Sequence, residues 1–344
     1  MSDGGIQPEV VNSSVAFSPA WFFRSGHLQS MLSSMVPRRW LVRRRARALL
    51  AASEDVLLDC GDGVRLLGHY ARSPQSNGRL VVLLHGWEGN AESVYVLSCA
   101  SHLYAQGCDI FRLNFRDHGP THHLNPDIFH SCRLPEVVRA IQSIARRWRH
   151  QSMSLVGYSL GGNFALRVAT VAPAHGLALA RVIALCPVLD PARTMHRLNQ
   201  SFVVYRYYFI RKWRRSLLIK QRAWPALYKK QDLLKRRGLT EMIEHLVVRY
   251  TTYDSSIAYL NDYALVGSRL ADLPVKSHIY MSMDDPIVDI ADVARLAETP
   301  NLAVTTTRHG GHCGFLDGIR RESWADRQVA RLLCIDSVTH ATAG

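Results

Sequence analysis

The sequence predicts an α/β fold in which a mostly parallel sheet is flanked by helices on both faces and interrupted late in the chain by a helical insertion. Three observations predict it. From residue 79 onward, short apolar runs alternate with segments of helical periodicity. The first run, RLVVLLHG (79–86), is mostly apolar and ends in glycine, which is typical of a strand buried on both faces. Between 189 and about 270 this alternation gives way to a basic, aromatic and helical pattern, and it resumes at 275–283.

The predicted elements follow in an order that favours parallel strands. Residues 54–60 and 63–71 flank Gly61-Asp62 and predict a β-hairpin with a tight turn. Because the later strands alternate with helices, the chain returns to the same end of the sheet each time. The further predicted strands are 79–86, 108–115, 152–157, 180–188, 275–283 and 301–307, and the predicted helices are 92–106, 134–148, 160–172, about 290–298 and about 321–335.

The composition is typical of a soluble globular protein, with 47% hydrophobic and 20% charged residues in a chain of 344. The seven cysteines are scattered and show no CxxC spacing, which favours reduced thiols. The polar start of the sequence does not match a signal peptide, and no apolar run reaches about 18 residues. We therefore expect a cytoplasmic protein without a membrane span, in contact with the inner membrane surface at most peripherally.

The net charge of +14 is concentrated in two regions. Residues 36–50 contain a run of arginines, and residues 189–262 contain fifteen lysines and arginines against six acidic residues. Such regions usually form a solvated basic surface, and an anionic membrane is the alternative partner. No nucleic-acid-binding module is recognisable, so we expect no nucleic acid partner.

A serine lies between glycines at a predicted strand-to-helix junction. The stretch LVGYSLGGNFAL (155–166) contains the pattern Gly157-x-Ser159-x-Gly161. This context is that of a nucleophile elbow, a sharp turn that forces the serine into strained backbone angles and lifts its Oγ above the sheet. The flanking residues must be small because neighbouring backbone passes close by. We therefore predict that Ser159 is a nucleophile; an ordinary serine in a glycine-rich turn is the alternative.

A serine of ordinary pKa needs a base and a group that orients the base. After such an elbow, the acid and then the histidine follow along the chain. We prefer Asp285 to Asp284 as the acid, because Pro286-Ile287-Val288 predicts the turn immediately beyond it; a carboxylate capping the next helix is the alternative. We prefer His312 to His309 as the base, because two glycines let its loop fold over the nucleophile. A solvated loop residue is the simplest interpretation of His309.

Two backbone N–H groups are candidates for binding an oxyanion. The helix that opens at Leu160 directs its first N–H groups towards any anion formed at Ser159. The second donor is expected from the loop after RLVVLLHG, where Trp87 is the candidate. We expect His85 to be structural, tying this loop together by a hydrogen bond, and we assign no role to Glu88, whose simplest interpretation is an exposed side chain.

Together these motifs resemble the α/β-hydrolase superfamily, and within it the YheT-like esterase branch (α/β-hydrolase domain 4 type). The resemblance implies a catalytic triad of Ser159, Asp285 and His312, with Trp87 in the oxyanion loop. It gives no role for GHLQS (26–30). The matching stretches are FSPAWFFRSGHLQS (17–30), LLHGWEGN (83–90), LNFR (113–116), GYSLGGN (157–163), DDPIV (284–288) and HGGHCGF (309–315).

These inferences predict a serine hydrolase that cleaves carboxylic esters, with short- to medium-chain acyl or lipid-like groups, through an acyl-enzyme. An acyltransferase that passes the acyl group to an alcohol is one alternative, and a non-catalytic membrane-surface or scaffold protein is another. We expect neither a metal nor an organic cofactor. The predicted division is an N-terminal segment packing on the core (1–50), the α/β-hydrolase core in two parts (51–188 and 271–344), and a helical cap or lid (189–270).

Two further stretches leave alternatives open. The loop DHGPTHHLNPDIFH (117–130) contains four histidines, but their spacing fits no standard metal-binding pattern, and it is expected near the mouth of the active site. The stretch SFVVYRYYFIRKWRR (201–215) interleaves aromatic and basic residues. It could rest on an anionic membrane, line an acyl pocket, or form a lid helix that packs on the core with a solvated basic face.

Overall fold

A computed structural model describes residues 17–200, 203–234, 238–318 and 322–341, apart from the side chains of 203–205 and 334–341. The strands are β1 (Ser53–Asp59), β2 (Arg65–Ala71), β3 (Arg79–Leu84), β4 (Asp109–Leu113), β5 (Ser152–Tyr158), β6 (Arg181–Leu185), β7 (Ser277–Ser282) and β8 (Leu302–Thr307). They form one eight-stranded sheet in the order β1-β2-β4-β3-β5-β6-β7-β8. The pairs β1/β2 and β2/β4 are antiparallel and the other pairs are parallel. The predicted hairpin and the mostly parallel sheet are therefore confirmed.

Helices precede, flank and interrupt the sheet. The N-terminal helices are α1 (Gly26–Leu32), α2 (Val36–Arg45) and α3 (Arg47–Ala51), and those between the strands are α4 (Val94–Tyr104), α5 (Leu134–Arg147) and α6 (Leu160–Val171). After β6 come α7 (Pro191–Gln200), α8 (Val203–Ala223), α9 (Lys230–Leu233), α10 (Leu239–Tyr250) and α11 (Ser256–Asp262), and the last helix is α12 (Trp324–Ala341). Short 3₁₀ helices span Trp21–Phe23, Pro173–His175, Ser268–Leu270 and Ile290–Arg295.

Strand β3 shows why both faces of the sheet are covered. Its alternate residues Leu80, Val82 and Leu84 pack in one core cluster with α5 and α6. The intervening Val81 and Leu83 pack in a second cluster with α2, α3, α4 and α12. Because successive side chains of a strand point to opposite faces, an apolar run fills both cores at once.

Two predicted helix boundaries differ from the structure. The last helix starts at Trp324, because Ser323 and Asp326 form a reciprocal cap in which each side chain accepts a hydrogen bond from the other's backbone N–H. The element expected near 290–298 is only a 3₁₀ helix, Ile290–Arg295, opened by Asp289, whose Oδ1 accepts from the N–H of Ala291 at 3.0 Å.

The insertion after β6 is helical, as expected, although its division as a separate cap segment stays a prediction. Within the described ranges, no helix combines the length and the apolar character that a bilayer crossing needs. A buried charge fastens the long helix α8 to the core: Lys220 Nζ donates to Asp117 Oδ1 at 2.8 Å and to the backbone oxygens of Asn125 and Asp127 at 2.6 and 2.9 Å. The loop of 117–130 is thereby joined to α8.

Substituting Lys220 should destabilise the protein strongly. In Lys220→Ala, the buried Asp117 carboxylate loses its cation, and we expect the free energy of unfolding to fall by about 3 kcal/mol. Urea denaturation measures it, with Arg222→Ala, an exposed position on the same helix, as the matched control. The double variant Lys220→Met with Asp117→Asn should recover part of the loss. Equal urea midpoints for Lys220→Ala and Arg222→Ala would show that the charge pair contributes nothing.

Candidate active site

Ser159 occupies the sharp turn between β5 and α6. Its backbone has φ 53° and ψ −118°, and its N–H donates to the carbonyl oxygen of Leu185 at 2.9 Å. The flanking glycines are sterically required. A Cβ at Gly157 would lie 2.2 Å from the carbonyl oxygen of Gly161, and a Cβ at Gly161 would lie 2.4 Å from that of Leu84. The structure therefore has the strained elbow that the sequence pattern predicts.

The structure brings the three predicted triad residues together. His312 Nε2 lies 2.9 Å from Ser159 Oγ, and His312 Nδ1 lies 2.8 Å from Asp285 Oδ2. Asp285 is almost fully buried, and its Oδ1 accepts from the N–H groups of Ile287 and Val288 at 2.7 and 3.0 Å. The turn in DDPIV therefore fixes one carboxylate oxygen, while the other faces the imidazole.

Asp284 and His309, the alternative candidates for the acid and the base, have different partners. Asp284 Oδ1 accepts from the N–H of Gly311 at 2.8 Å. His309 Nδ1 lies 2.9 Å from the carbonyl oxygen of Arg24, where it can donate. Neither contacts Ser159, so the geometry favours Asp285 and His312 over these two residues.

The contacts of His312 determine which of its ring nitrogens carries the proton. Because Nδ1 faces a carboxylate, it carries the proton, and Nε2 is left to accept from the Ser159 hydroxyl. Burial lowers the pKa of His312, whereas the charge of Asp285 and its hydrogen bond raise it, and the net result is a pKa above the ordinary value. Asp285 thus stabilises the imidazolium that forms whenever His312 takes a proton.

The loop after β3 is tied down as expected around Trp87. His85 is buried; its Nδ1–H donates to the carbonyl oxygen of Gly86 at 2.7 Å, and its Nε2 accepts from the N–H of Phe115 at 3.1 Å. Burial lowers the pKa of His85 to about 4, so this ring is neutral at pH 7.

The backbone N–H groups of Trp87 and Leu160 are the two candidate oxyanion donors. The N–H of Gly86 donates to Tyr95 and that of Glu88 donates to His118, but within the described part of the chain the N–H of Trp87 has no hydrogen-bond partner. The N–H of Leu160 lies in the first turn of α6, where no intrahelical acceptor exists. Both residues line the cavity that contains Ser159 and His312.

That cavity measures about 630 Å³ and has a largely apolar wall. Much of the wall comes from the helices after β6: Phe209, Trp213 and Leu217 of α8, and Ile243, Leu246 and Val247 of α10. The ring of Trp87 stacks on Phe209, with centroids 5.4 Å apart and an interplanar angle of 8°. The loop carrying one candidate donor is therefore packed directly against α8.

The two faces of helix α8 have different surroundings, and each bears on a different expectation for residues 201–215. Phe209 and Trp213 line the cavity, whereas Tyr207, Arg211 and Arg215 are exposed. The inner face agrees with a pocket lining. Contact of the outer face with an anionic membrane stays a prediction, and Ser201 and Phe202 lie outside the described residues.

Sequence reasoning missed the environment of Glu88. Its side chain is half-buried and lines the cavity, instead of being exposed. Burial raises the pKa of the Glu88 carboxyl to about 8, although Lys212 lowers it in part. Lys212 Nζ also donates to the backbone oxygen of Glu88 at 3.0 Å. The burial depends on α8, more than a hundred residues away, so no local pattern could have revealed it.

The four loop histidines do not converge on one point. His118 Nδ1–H donates to the backbone oxygen of Arg116, His122 Nε2 lies 2.8 Å from Ser216 Oγ, and His130 lines the cavity. Over the described ranges, the one cluster of three candidate metal-ligand atoms is Cys186, His312 and Cys313, within 4.8 Å of one another. Both nitrogens of His312 already face Asp285 and Ser159, so this cluster offers no free imidazole nitrogen.

Comparison with known proteins identifies the family of this chain. Residues 79–319 match the family model of the alpha/beta hydrolase fold. Over 331 residues the chain is 26% identical to "Putative esterase YheT" of Escherichia coli (strain K12). The alignment covers 92% of this chain and 93% of that protein.

Solved structures share the same architecture. The Pyrococcus furiosus esterase Pf2001 has a TM-score of 0.51 at 14% identity, covering 81% of this chain and 87% of that one. For 2,6-dihydroxy-pseudo-oxynicotine hydrolase the TM-score is 0.55 at 16% identity, with 85% and 70% covered. At such identities the likeness shows the fold alone. Since the family model spans well over half of the sequence, the chain belongs to the α/β-hydrolase family and is similar to YheT over almost its whole length.

Proposed function

We propose that the protein is a serine hydrolase of carboxylic esters in which Ser159 is the nucleophile, His312 the general base and Asp285 the residue that orients the base. One observation carries the proposal. The hydroxyl, the imidazole and the carboxylate form a continuous hydrogen-bonded relay, with separations of 2.9 and 2.8 Å, at the wall of an apolar cavity. This relay is what a serine needs to become nucleophilic at neutral pH.

The first half of the reaction forms an acyl-enzyme. Ser159 Oγ attacks the ester carbonyl carbon while its proton passes to His312 Nε2. The carbonyl oxygen becomes an oxyanion, which the N–H groups of Trp87 and Leu160 bind. When the tetrahedral intermediate collapses, the bond to the alcohol oxygen breaks and His312 returns the proton to the leaving alcohol.

The second half releases the acid. A water molecule gives a proton to His312 Nε2 as its oxygen attacks the acyl carbon, and collapse then returns that proton to Ser159 Oγ. The oxyanion donors act in both halves, because a tetrahedral intermediate forms in each. Removing one such donor in a serine hydrolase costs about 10²- to 10³-fold in kcat.

The cavity supports esters with short- to medium-chain acyl or lipid-like groups as substrates. Its wall is mostly apolar, and its volume of about 630 Å³ is that of a small-molecule pocket. The rings of Phe209 and Trp213 contact that of Trp87, with centroids 5.4 and 5.3 Å apart, and all three residues line the cavity. An extended hydrocarbon fits such a wall because its burial requires no polar partners.

Loss of the Ser159 hydroxyl should abolish ester turnover. In Ser159→Ala we expect kcat to fall by at least about 10⁴-fold, and labelling by a fluorophosphonate to disappear. The free energy of unfolding should change by less than about 1 kcal/mol, because the hydroxyl is only half-buried.

The matched control is Ser152→Ala, at the opposite end of the same strand. It should label and turn over like the wild type. Labelling of Ser159→Ala at the wild-type level would show that another residue is the nucleophile. A folded wild-type protein that neither labels nor turns over esters would favour a non-catalytic role. Product analysis with added alcohol identifies an acyltransferase, if the transferred ester exceeds the free acid.

The pH profile should report the contact between His312 and Asp285. His312 accepts a proton only when neutral, so kcat/KM falls as the pH is lowered through its pKa. Because Asp285 raises this pKa, the midpoint in the wild type should lie above the ordinary histidine value of about 6.5. In Asp285→Asn the carboxylate charge is gone, so the midpoint should move to lower pH and the plateau should fall by about 10⁴-fold.

Asp284→Asn is the control for this experiment, since Asp284 binds Gly311 and does not contact His312. Its midpoint should match that of the wild type. If Asp285→Asn leaves the midpoint in place, Asp285 does not set the pKa of the base.

The helices of the insertion should determine the acyl chain length. Ile243 of α10 lines the cavity, so Ile243→Trp should fill part of it and shift the preferred ester to shorter chains. We expect the ratio of kcat/KM for a long over a short acyl ester to fall about tenfold, the size of effect that one or two methylenes have in an apolar pocket. Ile257→Trp, at an exposed position on α11, is the control. An unchanged ratio in Ile243→Trp would show that the acyl chain does not lie against Ile243.

A further inference from the structure

We propose that Gln29 and Ser30, in the N-terminal stretch SGHLQS (25–30), are positioning residues for the loop that carries His312. The proposal rests on the function proposed above, in which His312 is the base. The two parts that meet are far apart in the sequence: 282 residues separate Ser30 from His312, and 287 separate Gln29 from Leu316. Neither residue contacts Ser159 or Asp285 through any hydrogen bond among the described residues.

Ser30 holds the backbone of the base itself. Its Oγ accepts from the N–H of His312 at 2.8 Å, and its own hydroxyl proton goes to the carbonyl oxygen of Gly26 at 2.7 Å. Because both bonds run through one oxygen, the orientation of the hydroxyl is fixed. The main chain at His312 is therefore anchored to helix α1.

Gln29 holds the loop four residues further on. Its amide nitrogen donates to the carbonyl oxygens of Leu316 and Phe23 at 3.0 and 2.7 Å, and its Oε1 accepts from the N–H of Leu316 at 2.7 Å. Gln29 and Leu316 are both fully buried. Each of these backbone groups would be left without a partner away from water if the amide were removed.

Glycines allow the segment to approach both catalytic loops. A Cβ at Gly26 would lie 2.0 Å from the carbonyl oxygen of Asp284, and a Cβ at Gly311 would lie 2.2 Å from the carbonyl oxygen of Gly26. Gly311 also has φ +57°, which glycine adopts without strain. Helix α1 thus packs both against Asp284, which precedes the acid, and against Gly311, which precedes the base.

This contact matters for the chemistry because the His312 loop has no regular secondary structure of its own. A displacement of about 1 Å at a reacting group costs roughly 10²-fold in rate. The hydrogen bonds of Ser30 and Gln29 fix the backbone at His312 and at Leu316, and so restrict where the imidazole can lie.

The experiment compares Ser30→Ala, Ser30→Thr and Gln29→Glu with the wild type. Ser25→Ala is the matched control, because the Ser25 hydroxyl caps α1 and does not contact the His312 loop. Gln29→Glu keeps the shape of the side chain but removes both of its donors. The readouts are kcat and KM, the rate of fluorophosphonate labelling at Ser159, the pH midpoint of kcat/KM and the melting temperature.

We expect kcat and the labelling rate to fall about tenfold in Ser30→Ala and about 10²-fold in Gln29→Glu. KM should change by less than about twofold in Gln29→Glu, because Gln29 does not line the cavity. The pH midpoint should move down as the contact between His312 and Asp285 loosens. Ser30→Thr, which keeps the hydroxyl, should restore the rate, and Ser25→Ala should lower the melting temperature without changing kcat.

Two results would overturn the proposal. One is wild-type kcat, labelling and pH midpoint in both Ser30→Ala and Gln29→Glu. The other is a loss of activity that matches the unfolded fraction at the assay temperature, with Ser25→Ala showing the same relation, since that outcome assigns the segment a stabilising role only. A wild-type protein that does not label at Ser159 would instead refute the proposed function, so the two failures are distinguishable.

Discussion

The hydrogen bond between His312 Nδ1 and the Asp285 carboxylate is the contact on which the rest of the site depends. It selects the tautomer in which Nε2 faces Ser159, and it raises the pKa of the imidazole against the opposing effect of burial. The backbone N–H groups of Ile287 and Val288 hold the other oxygen of Asp285 and so fix the orientation of its carboxylate. The parallel register of β5, β6, β7 and β8 ends these strands at one edge, where the loops after β5, β7 and β8 can meet.

Much of this arrangement could be predicted from short stretches. An elbow needs small residues at fixed offsets, so Gly157, Ser159 and Gly161 identify it locally, and the turn of DDPIV points to Asp285 in the same way. The strands of the core were predictable because an apolar run buried on both faces has a distinct pattern. Helix ends were less predictable: the start of α12 depends on the paired caps of Ser323 and Asp326.

The remainder depends on contacts that no local pattern contains. Glu88 is half-buried because α8 covers it, and the two faces of α8 are distinguished only once Trp87 stacks on Phe209. The role of SGHLQS could not be derived from its residue types, because a Gln and a Ser can bond to many kinds of partner. Their partners, Leu316 and His312, lie at the other end of the chain.

In the proposed reaction, these contacts would divide control between two parts of the protein. The helices after β6 contribute side chains to the cavity wall, so a change there alters how well one ester binds relative to another. The contacts of Ser30 and Gln29 run to the backbone around His312, the base that every ester would share in the proposed reaction. Substituting Ser30 or Gln29 should lower the rate for all esters by a similar factor. The displaced group is then the base, while the side chains that line the cavity around the acyl chain stay the same. On the function proposed above, we therefore expect selectivity and rate to be set by different segments. The two are linked through the loop of Trp87, which packs on α8, and through Arg197 of α7, which donates to the backbone oxygen of Asp285 at 3.0 Å.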